Sequence, residues 1–181
     1  IALVTGASRG IGYQIAKQLG ARGAHVIALA RTVGGLEDLD DEIRASGGET
    51  TLVPLDLTDF DALDRLGAAI FERWKKLDIF VGNAGMLGVL SPVGHIAPKD
   101  FDKVLAVNVT ANWRLIRSLD PLLRQSDAGR ALLLTSVHAV TSTPFWGLQS
   151  ISKAAVEAMA RTWANESRQT AMKINLADPG P

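Results

Sequence analysis

A glycine-rich octapeptide near the start of the chain, T-G-A-S-R-G-I-G at residues 5–12, constrains the fold more than any other feature. It follows a short apolar run at residues 1–4 and precedes Ile11, Ile15 and Leu19, which recur at helical spacing. This arrangement predicts a turn between a buried strand and a helix. Glycine permits positive φ angles and close approach of a ligand, and the N–H groups at a helix start favour an anion. The octapeptide therefore predicts a phosphate-binding turn, and the alternative is a glycine-rich turn without a ligand.

Apolar runs and helical stripes alternate along the rest of the chain. Apolar runs predict further strands at residues 24–30, 51–55, 77–81, 131–134 and 174–176. Helical spacing predicts helices at residues 11–22, from 36 to the Gly47-Gly48 pair, and at 58–74, 101–119 and 153–168. Thr58 is the predicted N-cap of the third helix, and Pro121 is predicted to kink or end the fourth. The alternation predicts an α/β fold, a doubly wound parallel sheet between two helical layers, as one domain over residues 1–181.

Charge and residue types exclude several functions. Nineteen Lys and Arg residues balance nineteen Asp and Glu residues, so no net positive field is available for nucleic acid or an anionic membrane surface. Cysteine is absent from the sequence, and the three histidines lack the spacing of metal ligands, so no metal site is predicted. The sequence has no apolar stretch of the roughly 18 residues that a membrane helix needs. We expect a cytoplasmic protein whose partners are small molecules or other subunits.

The end of the second predicted strand indicates which dinucleotide the turn would bind. In a dinucleotide-binding βαβ unit, an acidic residue about 20 positions beyond the glycines binds the ribose of NAD, whereas an arginine accommodates the 2′-phosphate of NADP. Here the strand ends at Ala30-Arg31, the first carboxylate after it belongs to Glu37, and Arg9 lies within the octapeptide. The two arginines predict NADP(H), with NAD(H) as the alternative. Without a dinucleotide they are ordinary solvated charges.

Further motifs follow the predicted strands in order. They are Asp56-Leu57, the Asn-Ala-Gly motif at residues 83–85, Asn108 between two valines, Ser136, Lys153 in Ser-Lys-Ala-Ala, and Asp-Pro-Gly at residues 178–180. Together with the octapeptide, this set resembles the short-chain dehydrogenase/reductase family over essentially the whole chain. The resemblance implies a Rossmann-type fold, hydride transfer between a nicotinamide dinucleotide and a carbonyl or alcohol substrate, and a homodimer or homotetramer. It implies cofactor-binding residues at Gly6, Ser8, Arg9, Gly10, Ile11, Gly12, Arg31, Asp56, Leu57, Asn83, Ala84, Gly85, Lys153, Pro179 and Gly180.

The resemblance also implies a catalytic set, Asn108, Ser136, Lys153 and the residue at position 149. In the family, a tyrosine four residues before the lysine supplies or removes the proton, and the lysine is the cation beside it and holds the nicotinamide ribose. The serine orients the substrate oxygen, and the asparagine anchors a water that connects the lysine to bulk solvent. Here the tyrosine position holds Gln149, at the family spacing of thirteen from Ser136. A carboxamide neither releases nor takes up a proton near neutral pH.

Several alternatives stay open at this stage. Taken singly, Asn108 would bond its own helix, Ser136 would cap a loop, and Lys153 would be a surface lysine. His138 follows Ser136 by two residues and titrates in the right range, although a strand-end histidine is more often a polar loop residue. Tyr13, the single tyrosine, is expected near the phosphates.

Two departures from the family pattern affect the predicted function. Gln149 supports a second reading, a non-catalytic NADP(H)-binding protein of the same fold that acts as a sensor or scaffold. Family members also commonly continue beyond Asp-Pro-Gly, so we expect this sequence to lack a substrate loop, a helix and the last strand. The helices predicted at 101–119 and 153–168 are then the expected oligomer surface.

Overall fold

Six parallel strands form the central sheet of the computed structural model, which describes residues 1–180. The strands are β1 (Ala2–Thr5), β2 (His25–Ala30), β3 (Glu49–Pro54), β4 (Ile79–Gly82), β5 (Arg130–Leu134) and β6 (Lys173–Ala177). Their order across the sheet is β3-β2-β1-β4-β5-β6. The chain winds outward from β1 to β3 and then returns to the other side of β1 with β4. The winding direction therefore changes between β1 and β4.

Helices connect the strands on both faces of the sheet. They are α1 (Gly10–Ala21), α2 (Val33–Ala45), α3 (Phe60–Trp74), α4 (Pro98–Leu105), α5 (Ala111–Arg124), α6 (His138–Thr141) and α7 (Gly147–Glu166). A π-helical turn, Ala106–Thr110, joins α4 to α5, and a 3₁₀ turn, Val93–His95, precedes α4. Among residues 1–180, none of the helices combines the length and apolar character needed to span a membrane.

Two apolar cores lie on opposite faces of the sheet, because successive strand residues point to opposite sides. On one face, Leu3 and its neighbour across the sheet, Phe80, are buried together with residues of α3, α5 and α7. On the other face, Val4 and Val81 are buried together with residues of α1 and α2. The predicted Rossmann-type, doubly wound parallel sheet in three layers and one domain is confirmed. Residue 181 of the predicted domain lies outside the described residues.

The predicted cap of α3 was wrong by one residue. The Asp59 carboxylate accepts a hydrogen bond from the Ala62 N–H at 3.0 Å and caps the helix. Thr58 instead donates to the carboxylate of Asp56 through its backbone N–H and its hydroxyl, both at 2.8 Å. The Asp56-Leu57-Thr58 turn after β3 is therefore held by its own side chains before the helix begins.

Two other helix boundaries also differ from the sequence pattern. The helix containing Pro121 continues to Arg124, because the burial of Leu119, Leu122 and Leu123 compensates for the backbone hydrogen bond that proline cannot donate. Helix α7 begins at Gly147 rather than at 153, after Trp146, whose side chain makes no capping bond. The sequence offers no capping signal there.

Candidate active site

A cleft of about 740 Å³ opens beside the loops that follow β1, β2, β3 and β4. Ligands of doubly wound sheets bind at this place, outside the carboxyl ends of the strands where the winding changes direction. The predicted cofactor-binding residues that line it are Gly6, Ser8, Arg9, Gly10, Ile11, Arg31, Asp56, Leu57, Asn83, Ala84 and Gly85. The remaining lining residues, which sequence reasoning missed, are Ala30, Thr32, Thr58, Met86, Lys103 and Val107.

The missed residues fall into two groups. Ala30, Thr32, Thr58 and Met86 adjoin predicted residues, so their closeness in sequence was an available signal. Lys103 belongs to α4 and Val107 to the π-helical turn. No motif marks these two residues, since only the packing of the helix against the cleft brings them there.

The octapeptide forms the predicted turn, and its glycines are required by its shape. Gly6 and Gly10 have φ angles of 66° and 60°, in the left-handed region that favours glycine. A Cβ atom on Gly12 would collide with the Asn83 side-chain amide and lie 2.5 Å from the carbonyl oxygen of Gly6. Gly12 therefore supports the turn from beneath rather than lining the cleft.

A buried hydroxyl group connects this turn to the loop after β4. Thr5 Oγ1 accepts hydrogen bonds from the backbone N–H groups of Asn83 and Ala84, each at 3.0 Å, and donates to the Val81 carbonyl at 3.3 Å. In return, Asn83 Nδ2 donates to the Thr5 carbonyl at 2.8 Å. This bond fixes the side chain of Asn83, a predicted cofactor-binding residue, whereas sequence reasoning did not single out Thr5.

The first turn of α1 fits an anionic group. Arg9 is its N-cap residue and makes no side-chain capping bond, so the first N–H groups of the helix have no intrahelical partner. A Cβ atom built on Gly10 meets no other atom within 4 Å, which places open space above the turn. Backbone donors, a positive helix end and the neighbouring Ser8 and Arg9 suit the phosphates of a dinucleotide.

Arg31 and Asp56 face each other at the far end of the cleft. The Arg31 Nη1 and Asp56 Oδ2 atoms are 3.6 Å apart, and the side chains are 73 % and 45 % exposed. Hydrogen bonds from the backbone N–H and the hydroxyl of Thr58, together with the Arg31 charge, lower the pKa of Asp56. The site therefore holds a guanidinium suited to a 2′-phosphate and a carboxylate that stays ionised beside it.

Lys153 is buried behind the cleft and has no carboxylate partner within 4.0 Å among the described residues. Its side chain is 7 % exposed, and its Nζ donates to the Leu134 carbonyl at 2.7 Å. Burial lowers the pKa of its ammonium group. A Cβ atom built on Gly85 would lie 3.5 Å from Nζ, so the ammonium borders the cleft wall at Gly85. This placement rules out the surface lysine considered as an alternative.

Asn108 is fully buried in the π-helical turn and organises the loop after β4. Its Oδ1 accepts from the Met86 N–H at 2.8 Å, and its Nδ2 donates to the Met86 carbonyl at 2.9 Å and to Ser152 Oγ at 3.0 Å. Its side chain thus joins the loop to α7 rather than bonding its own helix. The backbone carbonyl of Asn108 accepts from Asn112 Nδ2 at 2.7 Å.

Ser136 follows β5 and Gln149 lies in the first turn of α7, and neither is among the residues that line the cleft. Ser136 Oγ accepts from the His138 N–H at 3.4 Å. Gln149 Oε1 is buried and has no hydrogen-bond partner in the described part of the chain. Gln149 precedes Lys153 by four residues on α7, so the two side chains share one helix face.

The two other candidate proton donors have different surroundings. His138 Nδ1 lies 3.0 Å from Thr143 Oγ1, and its ring stacks on Trp146 with centroids 4.0 Å apart, as expected for a structural loop residue. Burial, together with the nearby Glu42 carboxylate, raises the pKa of the Tyr13 phenol. Tyr13 therefore turns toward α2 and is not among the residues that line the cleft. Its position near the phosphates stays a prediction.

The last predicted residues lie beyond the cleft. Pro179 and Gly180 follow β6 and are not among the lining residues. Gly180 has a φ of 80°, and its N–H donates to Asp178 Oδ1 at 3.0 Å. Within residues 1–180, no three His, Asp or Glu side chains converge in an arrangement that would hold a metal ion.

Comparison with known proteins gives the family. A family model described as short chain dehydrogenase matches residues 1–181. A fatty acyl-CoA reductase of Acinetobacter baylyi is 33 % identical over 92 % of this chain, and versicolorin reductase of Emericella nidulans is 34 % identical over 99 %. A short-chain dehydrogenase structure from Shigella flexneri, complexed with NADP, is 33 % identical over 99 % of this chain and 76 % of its own, with a TM-score of 0.94. The chain belongs to the short-chain dehydrogenase/reductase family and spans 57 % and 68 % of the two curated relatives.

Proposed function

We propose that this protein is an NADP(H)-dependent oxidoreductase that acts on a carbonyl or alcohol substrate. One observation carries the proposal: a single cleft joins the phosphate-binding turn to the wall behind which Lys153 is buried. NADP(H), when bound, supplies or accepts the hydride. The residues of the chain bind the cofactor, orient the substrate and supply the route by which the proton is transferred.

The residues present fit this cofactor at both ends of the cleft. The first turn of α1 and Ser8 would hold the pyrophosphate, and Arg9 and Arg31 would hold the 2′-phosphate. Lys153 would donate to the nicotinamide ribose from its position behind Gly85. The NADP complex of the Shigella flexneri relative supports the choice of NADP(H) over NAD(H).

Proton transfer is the step for which this chain departs from its family. Ser136 would donate to the substrate oxygen, but Gln149 stands where the family has its proton-transferring tyrosine. Loss of a positioned acid typically costs 10²- to 10⁴-fold in rate. Gln149 therefore also favours the second candidate function, a non-catalytic NADP(H)-binding sensor or scaffold.

The deciding experiment compares the full-length wild type with Gln149→Tyr. NADPH binding and NADPH oxidation are measured against aldehydes, ketones, diketones and a fatty acyl-CoA. We expect slow oxidation by the wild type and a gain of about 10²-fold or more in kcat for Gln149→Tyr, because the phenol restores a positioned acid. If both proteins bind NADPH and neither oxidises it, the sensor or scaffold function is favoured instead.

The homodimer or homotetramer remains a prediction. Trp113 on α5 is 48 % exposed and Ile151 on α7 is 39 % exposed. Large apolar side chains at such positions suit an interface between subunits. Their exposure supports the proposal that these two helices form it.

A further inference from the structure

Four charged side chains line the cleft, and three of them are cationic. The cations are Arg9, Arg31 and Lys103, and the single carboxylate belongs to Asp56. Arg31 lies 3.6 Å from Asp56, so these two charges partly offset each other. Within the part of the chain that the structure describes, no carboxylate lies within 4.0 Å of Arg9 or Lys103. The cleft therefore carries an excess of positive charge, which favours a ligand with several anionic groups.

Lys103 lines the cleft although its own helix offers it carboxylates. Asp100 precedes it by three residues on α4, a spacing at which opposite charges pair, and Asp102 is its direct neighbour. Among residues 1–180, neither carboxylate forms an ion pair with Lys103. Lys99 precedes Lys103 by four residues, and like charges at this spacing destabilise a helix. The stability of α4 therefore does not explain a lysine at position 103, whereas an anionic ligand in the cleft does.

Lys103 and Arg31 belong to different walls of the cleft. Arg31 follows β2, and β1 separates β2 from β4 in the sheet. The loop after β4 is bonded to the π-helical turn, where Asn108 Oδ1 accepts from the Met86 N–H at 2.8 Å. Lys103 lies in the last turn of α4, directly before that π-helical turn. Lys103 is therefore on the β4 side of the cleft, Arg31 is on the β2 side, and the glycine-rich turn after β1 lies between them.

The charges of the cofactor decide which of its groups suits Lys103. NADP(H) carries anionic charge on its pyrophosphate and on its 2′-phosphate, whereas adenine and the ribose rings are uncharged. Arg31 and Arg9 are the proposed partners of the 2′-phosphate, and the first turn of α1 is the proposed partner of the pyrophosphate. The pyrophosphate is therefore the anionic group closer to the β4 side. A lysine suits it, because an ammonium on a flexible stem binds a phosphate as a point charge.

We propose that Lys103 is a cofactor-binding residue whose ammonium group binds the pyrophosphate of NADP(H) from the β4 side of the cleft. This inference rests on the proposed function. The pyrophosphate is then bound by backbone N–H groups of α1 on one side and by a charged donor on the other. Because NAD(H) carries the same pyrophosphate, Lys103 contributes to the affinity for both dinucleotides. Arg31, in contrast, contributes to the choice between them.

The test is titration of the full-length wild type and its variants with NADPH and with NADH, followed by the fluorescence of the reduced nicotinamide. We expect Lys103→Gln to weaken the binding of both dinucleotides about tenfold, because a charge-assisted hydrogen bond is lost. Lys103→Arg keeps the charge and should bind both within about threefold of the wild type. Lys99→Gln makes the same change one turn earlier on α4, at an exposed residue that does not line the cleft, and should retain both affinities. The affinity of the wild type should also fall more steeply with salt than that of Lys103→Gln, since salt screens a contact between charges.

The outcomes separate this inference from the proposed function. Unchanged affinities in Lys103→Gln, or an equal loss in Lys99→Gln, overturn the inference and leave the proposed function standing. A loss of NADPH affinity without a loss of NADH affinity also overturns it, because Lys103 then binds the 2′-phosphate. A wild type that binds both dinucleotides through Lys103 but reduces no carbonyl supports the inference and overturns the oxidoreductase function. A wild type that binds neither dinucleotide overturns both.

Discussion

At the scale of single residues, Thr5 determines how the two loops of the cleft meet. Its hydroxyl group is buried and satisfies two backbone N–H groups of the loop after β4, while the return bond comes from Asn83. The glycine-rich turn after β1 and the loop at residues 83–85 are therefore held at a defined separation. The hydroxyl contributes to the cleft without lining it.

Replacing Thr5 with valine tests this role, because the volume is kept and the acceptor is lost. We expect Thr5→Val to reduce the free energy of unfolding by about 1–3 kcal/mol, since two N–H groups lose their acceptor. NADPH affinity should fall with it. Thr5→Ser keeps the hydroxyl and is the matched control. Chemical denaturation and cofactor titration measure both effects, and equal stability of the valine and serine variants would contradict the role.

A second residue-scale prediction concerns Arg31. Arg31→Asp places a second carboxylate beside Asp56, where it repels the 2′-phosphate of NADP. We expect the ratio of NADP to NAD affinity to fall at least tenfold and the preference to shift toward NAD. Arg65→Asp on the exposed face of α3 makes the same charge change away from the cleft and should leave the ratio unchanged. Titration of each protein with both cofactors gives the ratio, and an unchanged ratio in Arg31→Asp would remove Arg31 from the site.

At the scale of elements, the turn between β1 and α1 works because three glycines allow it to pack against the loop after β4. Gly6 and Gly10 supply the positive φ angles, and Gly12 supplies the close approach to Asn83. The π-helical turn has a comparable effect on the other wall of the cleft. The Asn108 side chain bonds both Met86 and Ser152, so this turn is linked to the loop after β4 and to α7.

Gly12→Ala tests the packing of the turn. The added methyl group collides with the Asn83 amide and the Gly6 carbonyl, so we expect a loss of about 1–3 kcal/mol of stability and at least tenfold weaker NADPH binding. Gly34→Ala on α2 is the control, because its added Cβ meets no atom within 4 Å. Gly34→Ala should be neutral or stabilise by up to about 1 kcal/mol. Equal effects of the two substitutions would show that close packing at Gly12 is unimportant.

At the scale of the whole molecule, the strand order brings distant residues to one place. Residues 6–11 and residues 83–85 meet because β4 pairs with β1 rather than with β3. Lys153 is buried because α7 packs against the sheet beside β6, and the Leu134 carbonyl at the end of β5 accepts its hydrogen bond. Within the described residues, the Lys153 ammonium is therefore a buried charge without a carboxylate partner, and its burial lowers the free energy of unfolding.

This cost predicts a dependence of stability on pH. Burial lowers the pKa of folded Lys153 below 10.5, so between that lowered pKa and about 10.5 the unfolded chain binds more protons than the folded protein. Stability contributed by this residue therefore rises with pH across that window, by about 1.4 kcal/mol for each unit of pKa shift. The free energy of unfolding of Lys153→Met minus that of the wild type should therefore be larger at pH 7 than at pH 10. Denaturation at both pH values measures the gap, and Lys173→Met should show no such change.

Much of the fold was predictable because strand and helix periodicity is a local property. The octapeptide turn, the alternation of strands and helices and the doubly wound sheet follow from the spacing of apolar residues. The start of α7 at Gly147 was not predictable, because Trp146 offers no capping side chain. The cap of α3 required a choice between two adjacent cap-forming residues, Thr58 and Asp59, which the sequence pattern does not separate.

The sequence by itself determined the family, the glycine-rich turn between β1 and α1 and the presence of Gln149 at the position where the family has its tyrosine, because each depends on residue type and spacing along the chain. Only the tertiary structure decided that Lys103 and Val107 line the cleft, that Thr5 joins its loops, and that Lys153 is buried without a countercharge. Burial and contact between distant residues depend on which elements pack together. No local sequence pattern predicts which elements pack together, so the surroundings of Lys153 and Gln149 are evident only in the folded chain.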